Sequence, residues 1–413
     1  MKTKLIILVV LIFLLQFFWY YRGVYKAPPS QAYKLEEISV PEVSPRTFFD
    51  KYTTGKGVVI FDRTNSSYSP SEITPLLNRL ISRGFSYEFI DDRTSLEEKL
   101  KYASSLVIIS PGSAYENSEV EVIRHFLDKG GRLLLISDPQ RPDEINSLSS
   151  HFGIIFEDGY LYNMKVNEGN FRNIYLEQFA KTNITENLKK VVFYSSCPIT
   201  AAKKIMFGDE NTLSSTGEVP QLLSPAALAG NVLAVCDLTF LTEPYDGIED
   251  NPQLISNIAD FLTQAERVFE LDDFPYLLGE DVNIVYADSS LLTYTFKMRR
   301  ALDGKGSISA EEDPEKNNVF LALYKDYDKV AEYLDNISIS DEKIDVPGFG
   351  EVDKEKVSLL HLHEEDGRKN LVLMADTNSS LEDLIDLIEK GEFADFMIDG
   401  KTAVIPTEKK EEA

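Results

Sequence analysis

The sequence predicts an α/β protein. Its main part is a three-layer, flavodoxin-like domain built on a parallel sheet, followed by a second, smaller α/β domain and preceded by one N-terminal transmembrane helix. Three observations carry this expectation. Short continuous apolar runs alternate with amphipathic stretches from residue 56 to 137, as strands covered on both faces require. A shorter alternation of the same kind begins near residue 275. Leu5 to Tyr21 is a run of 17 residues in which only Gln16 is strongly polar.

The N-terminal run follows Lys2 and Lys4 and, as a helix, spans about 25 Å, near the lower limit for a membrane crossing. Trp19, Tyr20 and Tyr21 would form an interfacial belt. The exit is bulky, and Tyr25 stands two positions before Ala27, a poor cleavage site, so residues 1–22 read as an anchor rather than a cleaved signal. Residues 23–55, with Pro28, Pro29, Pro41 and Pro45, read as a stalk.

Residues 56–268 form the first predicted domain. Val58 to Phe61 is a strand ended by Asp62, and a helix follows with Ile73, Leu76, Leu77, Leu80 and Ile81 inward. Tyr87 to Asp91 is the second strand, Leu96 to Ala103 a helix, and Ser105 to Gly112 the third strand. Glu116 to Lys129 is a helix stopped by Gly130 and Gly131, and "RLLLISD" is the fourth strand. Lys189 to Thr200 and Gly230 to Glu243 read as later strands, with Ser214 to Ala227 mostly loop and Pro252 to Leu262 a closing helix. The smaller domain, 275–406, has strands at Val282 to Tyr286 and Val319 to Tyr324, then a helix over "DYDKVAEYLDNI". A hairpin through Gly367, a helix over "SLEDLIDLIEKGEFADFM" and a strand at Lys401 to Ile405 complete it, and residues 407–413 form a flexible tail.

The chain carries 68 acidic and 42 basic residues, a formal charge of −26. That field repels a phosphate backbone and argues against nucleic-acid binding. Lys2 and Lys4 against Arg22, Lys26 and Lys34 leave the positive-inside comparison near a tie. Asn65, Asn183, Asn336 and Asn378 each begin an N-x-S/T sequon, which would suit N-glycosylation of an exported glycoprotein. Cys197 and Cys236 each close a strand-like run; they read either as a disulfide in an exported domain or as two buried thiols that never meet. The expected location is therefore the cell membrane, single-pass, with the bulk of the chain extracytoplasmic.

Four stretches carry a resemblance: "IFDRTN" with its helix "ITPLLNRLISRG"; "SLVIISPGSAYENSEVEVIRHFLDKGGRLLLISDP"; "GNVLAVCDLTFL"; and "DNPQLISNIADFL". Over residues 56–265 the chain resembles the class I glutamine amidotransferase-like fold, and within it the DUF4350 and GldG/IFT52-like branch. The resemblance implies a strand–turn position for a cysteine nucleophile with a histidine and an acid in reach. At the matching end of "LLLISDPQ" this chain has Ser137 and Asp138, while His125 and His151 lie in or near helices. Amidotransferase activity is therefore not expected.

Asp62, Asp138 and Asp237 end apolar strands, and Ser110 lies in the tail of the third. In a parallel sheet these ends share one edge, the usual ligand crevice. Converging carboxylates would bind a polar ligand, or Ca²⁺ or Mg²⁺ through oxygen donors. The bland reading is that each aspartate caps its own turn. The loop acids Glu243, Asp246, Glu249 and Asp250 lack EF-hand spacing. Gly112 and Ser113 precede a helix without phosphate-loop spacing, and read as a simple join. His361 and His363, with Glu365 nearby, could hold zinc on one strand face, but alternation there reads better as a wet face.

No cofactor is expected. The favoured reading is a membrane-anchored, noncatalytic accessory module that binds a membrane-protein partner, such as an ABC-type transporter, or a surface glycan. The alternative is a hydrolase, metal-assisted or acid-based, acting on a polar or glycan substrate; it requires Asp62, Asp138 and Asp237 to meet around a pocket.

Overall fold

The computed structural model describes residues 2–23, 48–217 and 222–407. It forms two units, Met1–Phe49 and Asp50–Ala413. In the first, α1 (Lys2–Gly23) is one continuous helix, and the segment Lys2–Tyr20 has a mean hydropathy of 2.2 with no buried share. It is long and apolar enough to cross a membrane, a property that signal sequences share. Residues 24–47 of the expected stalk and 408–413 of the expected tail lie outside the described residues.

The second unit opens with β1 (Gly57–Asp62), α2 (Thr74–Ser82), β2 (Phe85–Ile90), α3 (Leu96–Leu100), β3 (Ser105–Ile109), α4 (Asn117–Asp128) and β4 (Arg132–Ser137). Local chemistry sets these boundaries. Ser69 and Glu72 form a capping box ahead of α2, with Pro70 at its first position. Gly84 leaves α2 at φ +83°, and a Cβ there would lie 2.5 Å from the Gly55 carbonyl oxygen. Gly130 leaves α4 at φ +89°, its α-carbon against the Glu266 carbonyl.

A long excursion follows: α5 (Asn146–Ser149), β5 (Ile154–Phe156), β6 (Leu161–Asn163), β7 (Asn173–Leu176), β8 (Gln178–Phe179), β9 (Val191–Tyr194), β10 (Ile199–Ala201), β11 (Lys204–Phe207), β12 (Thr212–Ser214) and β13 (Ala226–Ala229). The chain then returns through β14 (Val232–Cys236) and closes with α6 (Asn251–Thr263).

The main sheet has eight strands in the order β2-β1-β3-β4-β14-β13-β11-β8. Its first five are parallel, and β13, β11 and β8 extend it antiparallel. The all-parallel, flavodoxin-like expectation is thus corrected to a mixed sheet. The cause is the hairpin at Gly230, φ +57°, which delivers β13 beside β14. It also makes the end of the expected Ser214–Ala227 loop a strand. The run expected as one strand over Lys189–Thr200 divides into β9, paired with β7, and β10, paired with β5, in small ribbons outside the main sheet.

Alternate residues of the parallel strands face opposite layers. Val59, Phe61, Val107, Ile109, Leu134 and Ile136 pack with Leu76, Leu80, Leu254 and Ile258 of α2 and α6. Ile60, Leu106, Ile108, Leu133 and Leu135 pack with Leu96, Leu100, Val120, Ile123 and Phe126 of α3 and α4. Burial of each such side chain contributes about 2 kcal/mol. This is the continuous burial that the apolar runs required.

The smaller α/β region has a six-stranded sheet. Its elements are β15 (Val282–Tyr286), α7 (Leu292–Ala301), β16 (Ser307–Ser309), β17 (Asn317–Leu323), β18 (Ser338–Ile339), β19 (Lys343–Val346), β20 (Gly350–Asp353), β21 (Val357–Glu365), β22 (Arg368–Ala375), α8 (Asn378–Lys390) and β23 (Thr402–Pro406). The order is β16-β15-β17-β22-β21-β23, again mixed. Helices α7 and α8 cover one face. The other face is covered by the β18-β19-β20 sheet and by residues 324–337. The helix expected over "DYDKVAEYLDNI" forms only 3₁₀ turns, Tyr324–Lys329 and Ala331–Tyr333. Tertiary contacts override its helical pattern: Tyr324 Oη donates to the Val357 carbonyl, Lys329 Nζ donates to the Ala287 carbonyl, and Tyr333 stacks on Phe320.

Residues 264–280 connect the two sheets. Lys129 is buried, and its ammonium donates to both oxygens of Asp272, at 2.8 and 2.9 Å, and to Asp273 at 2.9 Å. Arg267 donates to Asp273 at 3.0 Å, and Tyr102 packs on Tyr276 with centroids 4.7 Å apart.

Candidate functional site at the carboxyl edge of the main sheet

Register decides which strand-end acids meet. Asp62 lies level with Ile108, and Ile108 lies level with Leu135. Asp62 therefore stops three residues short of Asp138 and two strands away, roughly 14 Å by strand spacing and rise. Cys236 lies level with Ser137, so Asp237 and Asp138 leave neighbouring strands side by side. The three acids do not form one centre: two are neighbours and Asp62 stands apart.

Each is engaged locally. Asp62 accepts from the Thr64 N–H at 2.7 Å and from Arg93 Nε at 2.9 Å, and Tyr115 Oη donates to the same carboxylate. Arg93 also donates to the carbonyls of Ala114 and Ser113 and stacks 3.6 Å from the Tyr115 ring centroid. This buried knot joins three loops. It also holds the Gly112–Ser113 segment, where a Cβ on Gly112 would lie 2.1 Å from the Asn65 carbonyl oxygen. Asp138 accepts from the Gln140 N–H at 2.9 Å, closing its own turn. Asp237 is fully buried and accepts from Tyr194 N–H at 2.6 Å and Thr239 N–H at 2.7 Å. Burial pushes its carboxyl well above the usual range, and the charge of Asp138 adds to the effect.

A crevice of about 260 Å³ opens beside this pair, lined by Ser137, Asp138, Arg141, Asp143, Tyr160 and Cys197 among others. Asp143, which the sequence reading did not single out, is the distinctive group. Burial pushes its carboxyl up to about 6, while the Ile145 N–H that donates to it and the nearby Ser137 and Ser110 hydroxyls pull it down. Its Oδ2 and the Ser110 Oγ are both shut off from solvent without a well-formed partner. Ser110 itself is held at φ +39°. A strained serine beside a half-buried acid at a strand end is a recognisable signal of a site-shaped place. Its sequence trace is only the pairing of "ISPG" with "RPDE".

Cys197 and Cys236 form a disulfide, with Cα atoms 5.4 Å apart, between the loop after β9 and the end of β14. Neither is a thiol, so no cysteine nucleophile exists. Amidotransferase chemistry has no residue to carry it. Asn65, Asn183 and Asn336 are exposed, and Asn378 is half-buried at the start of α8.

The acidic loop is also engaged in the fold. Asp250 accepts from the N–H groups of Lys189 and Lys190, and Glu249 lies 3.9 Å from the Lys190 ammonium. Among the described residues, the group with metal-ligand spacing is His125, Glu270 and Asp272, whose donor atoms lie within 4.8 Å of one another. The Lys129 ammonium already sits on both Asp272 oxygens, so a cation there would meet a fixed positive charge.

The histidine pair departs from the wet-face expectation. His361 is buried and His363 half-buried, and both turn to Asp335. His361 Nε2 lies 3.2 Å from Asp335 Oδ2, and His363 Nδ1 lies 2.7 Å from Oδ1. His361 Nδ1 meets Thr402 Oγ1 at 3.1 Å. The hydroxyl–imidazole–carboxylate chain resembles a catalytic relay in connectivity, but Thr402 is buried, so its hydroxyl has no open approach. Glu365 is exposed at the hairpin end. A hydrogen-bonded core contact, not solvent, explains the alternation.

No protein-family model matches the chain, and no curated protein matches it. Among solved structures it is similar to the N-terminal domain of mmIFT52, at 15% identity and TM-score 0.44, covering 51% of this chain and 99% of that one. It is similar to a ThuA-like protein from Bacteroides uniformis, at 11% identity and TM-score 0.35, covering 54% and 96%. It is also similar to the glutaminase domain of Trypanosoma brucei CTPS with bound acivicin, at 9% identity and TM-score 0.27, covering 52% and 96%. These likenesses are distant and partial, and function rests on the residues themselves.

Proposed function

We propose that this chain is a membrane-anchored, noncatalytic binding module that accompanies a membrane-protein complex, such as an ABC-type transporter. One observation carries the reading. The strand-end acids and both cysteines are engaged in the fold, whereas a face of the excursion exposes Met164, Val166, Phe171 and Leu213. Exposed apolar faces of this kind mark docking surfaces. The apolar α1 supports anchoring. The disulfide supports an oxidising compartment, and so an extracytoplasmic body with its sequons accessible. The domain limits 56–268 and 275–406 are retained as part of this proposal.

The hydrolase reading is disfavoured because Asp62 lies apart and is paired with Arg93. Ca²⁺ or Mg²⁺ at Asp138 and Asp237 is disfavoured by the backbone N–H groups those acids already accept. Affinity purification of the intact chain from gently solubilised native membranes tests the module. A stoichiometric membrane-protein partner is expected by mass spectrometry. Purification alone, with reduced cysteines, would overturn both the module and its topology.

A further inference from the structure

We propose that the face around Arg172 docks a protein partner presenting an acidic side chain flanked by apolar ones. This deepens the binding-module reading and rests on it. The Arg172 guanidinium lies 4.0 Å from the Tyr160 ring centroid and 5.7 Å from that of Phe171. Tyr162 meets Phe171 edge-on at 6.3 Å and Tyr160 at 6.2 Å. Across the β6–β12 ribbon, Leu213 stands opposite Tyr162. The face is therefore one continuous strip, Leu213–Tyr162–Phe171–Arg172–Tyr160, with Met164 and Val166 on the adjoining loop.

Local hydrogen bonds tie the strip to the loops around it. The Arg172 N–H donates to Asn170 Oδ1 at 3.0 Å, and its carbonyl accepts from Ser195 N–H at 2.9 Å. Asn163, behind Tyr162, is buried and donates to Asp209. The aromatic rings then hold the guanidinium plane.

Charge complementarity identifies the occupant. The chain carries a net −26, and Arg63, Arg83, Arg93, Arg141 and Arg267 each pair with a carboxylate. Among the described residues Arg172, like Arg132, Arg299, Arg300 and Arg368, pairs with no carboxylate; its guanidinium donates no hydrogen bond to any described residue and lies against two aromatic rings. A stacked guanidinium with unused donors is a ready fork for a carboxylate. Closing the apolar strip over it would exclude water and strengthen that pair. Tyr, Phe, Met and Arg are also the residues enriched at the centres of protein interfaces. An acid set between apolar side chains matches the strip, in which Arg172 lies between aromatic and aliphatic neighbours.

The test uses the full chain in its native membrane, with p-benzoylphenylalanine replacing Leu213. Irradiation is expected to give one protein adduct whose mapped segment contains Asp or Glu. Arg172→Glu should lower its yield at least about tenfold, as loss of a central interface arginine does. Arg172→Lys, which keeps charge but not the fork, should fall between. Lys343→Glu, an equal charge reversal at an exposed position of β19, should leave the yield unchanged. An adduct insensitive to Arg172→Glu, a segment without an acid, or an adduct to lipid, glycan or a second copy of the chain would each overturn the assignment. A partner that still co-purifies with Arg172→Glu, its cross-link undiminished, keeps the module and rejects this face. No partner with the unsubstituted chain rejects both.

Discussion

Arg83 and Asp50 pair at the point where the described body begins. The Arg83 side chain is fully buried, and its two terminal nitrogens reach the two Asp50 oxygens at 3.1 and 3.2 Å. Its Nε donates to Asp260 of α6 at 2.7 Å, and Ser256 completes the cage. One residue at the end of α2 thus ties the entry of the chain to the closing helix.

Arg83→Met should destabilise the body by about 3 kcal/mol, because it strands two carboxylates rather than removing a whole pair. Arg83→Lys should recover only part of this, since an ammonium cannot fork. Chemical denaturation reads both; a loss under about 1 kcal/mol for Met would contradict the cage.

Asp143→Asn should stabilise the protein at pH 7.5 by about 1–2 kcal/mol. The folded carboxyl is raised to about 6, above the ordinary 3.8. The folded state therefore binds the proton more tightly, and wild-type stability falls as pH rises between those values. The variant lacks that loss, so its advantage should vanish below pH 4. An advantage independent of pH would show that packing, not charge, is responsible.

The histidine pair gives the opposite slope. Burial holds His361 below its ordinary 6.5, although Asp335 and Asp399 pull it up; His363 opposes protonation. The contribution is complete above pH 6.5 and is lost as pH falls toward the lowered folded value. Asp335 is itself held below the usual carboxylate range by both imidazoles, against its own burial, so its contribution is lost only at still lower pH. Over pH 8 to 5 the Asp143 and His361 slopes oppose one another in the wild type, so the His361→Gln difference is the readout: the Tm of His361→Gln relative to wild type should rise as pH falls below 6.5. A Tm difference independent of pH would refute the account.

Reducing Cys197–Cys236, or replacing both residues with serine, should cost about 4 kcal/mol by chain entropy for a 39-residue separation. Denaturation with and without reductant measures it. An unchanged midpoint would mean that the bond adds nothing to the packing around it.

Much of the fold was legible because parallel strands buried on both faces must be apolar throughout. "VVIF", "LVII" and "LLLI" could be read that way without any partner in view. The excursion was not legible in the same way. Its strands are short, and β9 and β10 look like one run because nothing local says which neighbour each will meet. The sheet's polar seam was equally hidden. Asn283, Asn318 and Asn370 bond side chain to side chain across β15, β17 and β22, from positions 35 and 52 residues apart.

By itself the sequence determined the apolar N-terminal helix, the α/β alternation, the strand-end aspartates and the absence of a cysteine at the β4 end. These follow from composition and local period. Only the tertiary structure decided that Asp62 stands away from Asp138, that Cys197 meets Cys236, that His361 is buried against Asp335 and that Arg172 has no carboxylate partner among the described residues. Each of these depends on strand register and on loops far apart in the chain, and pairwise distance across a sheet leaves no local mark in the order of residues.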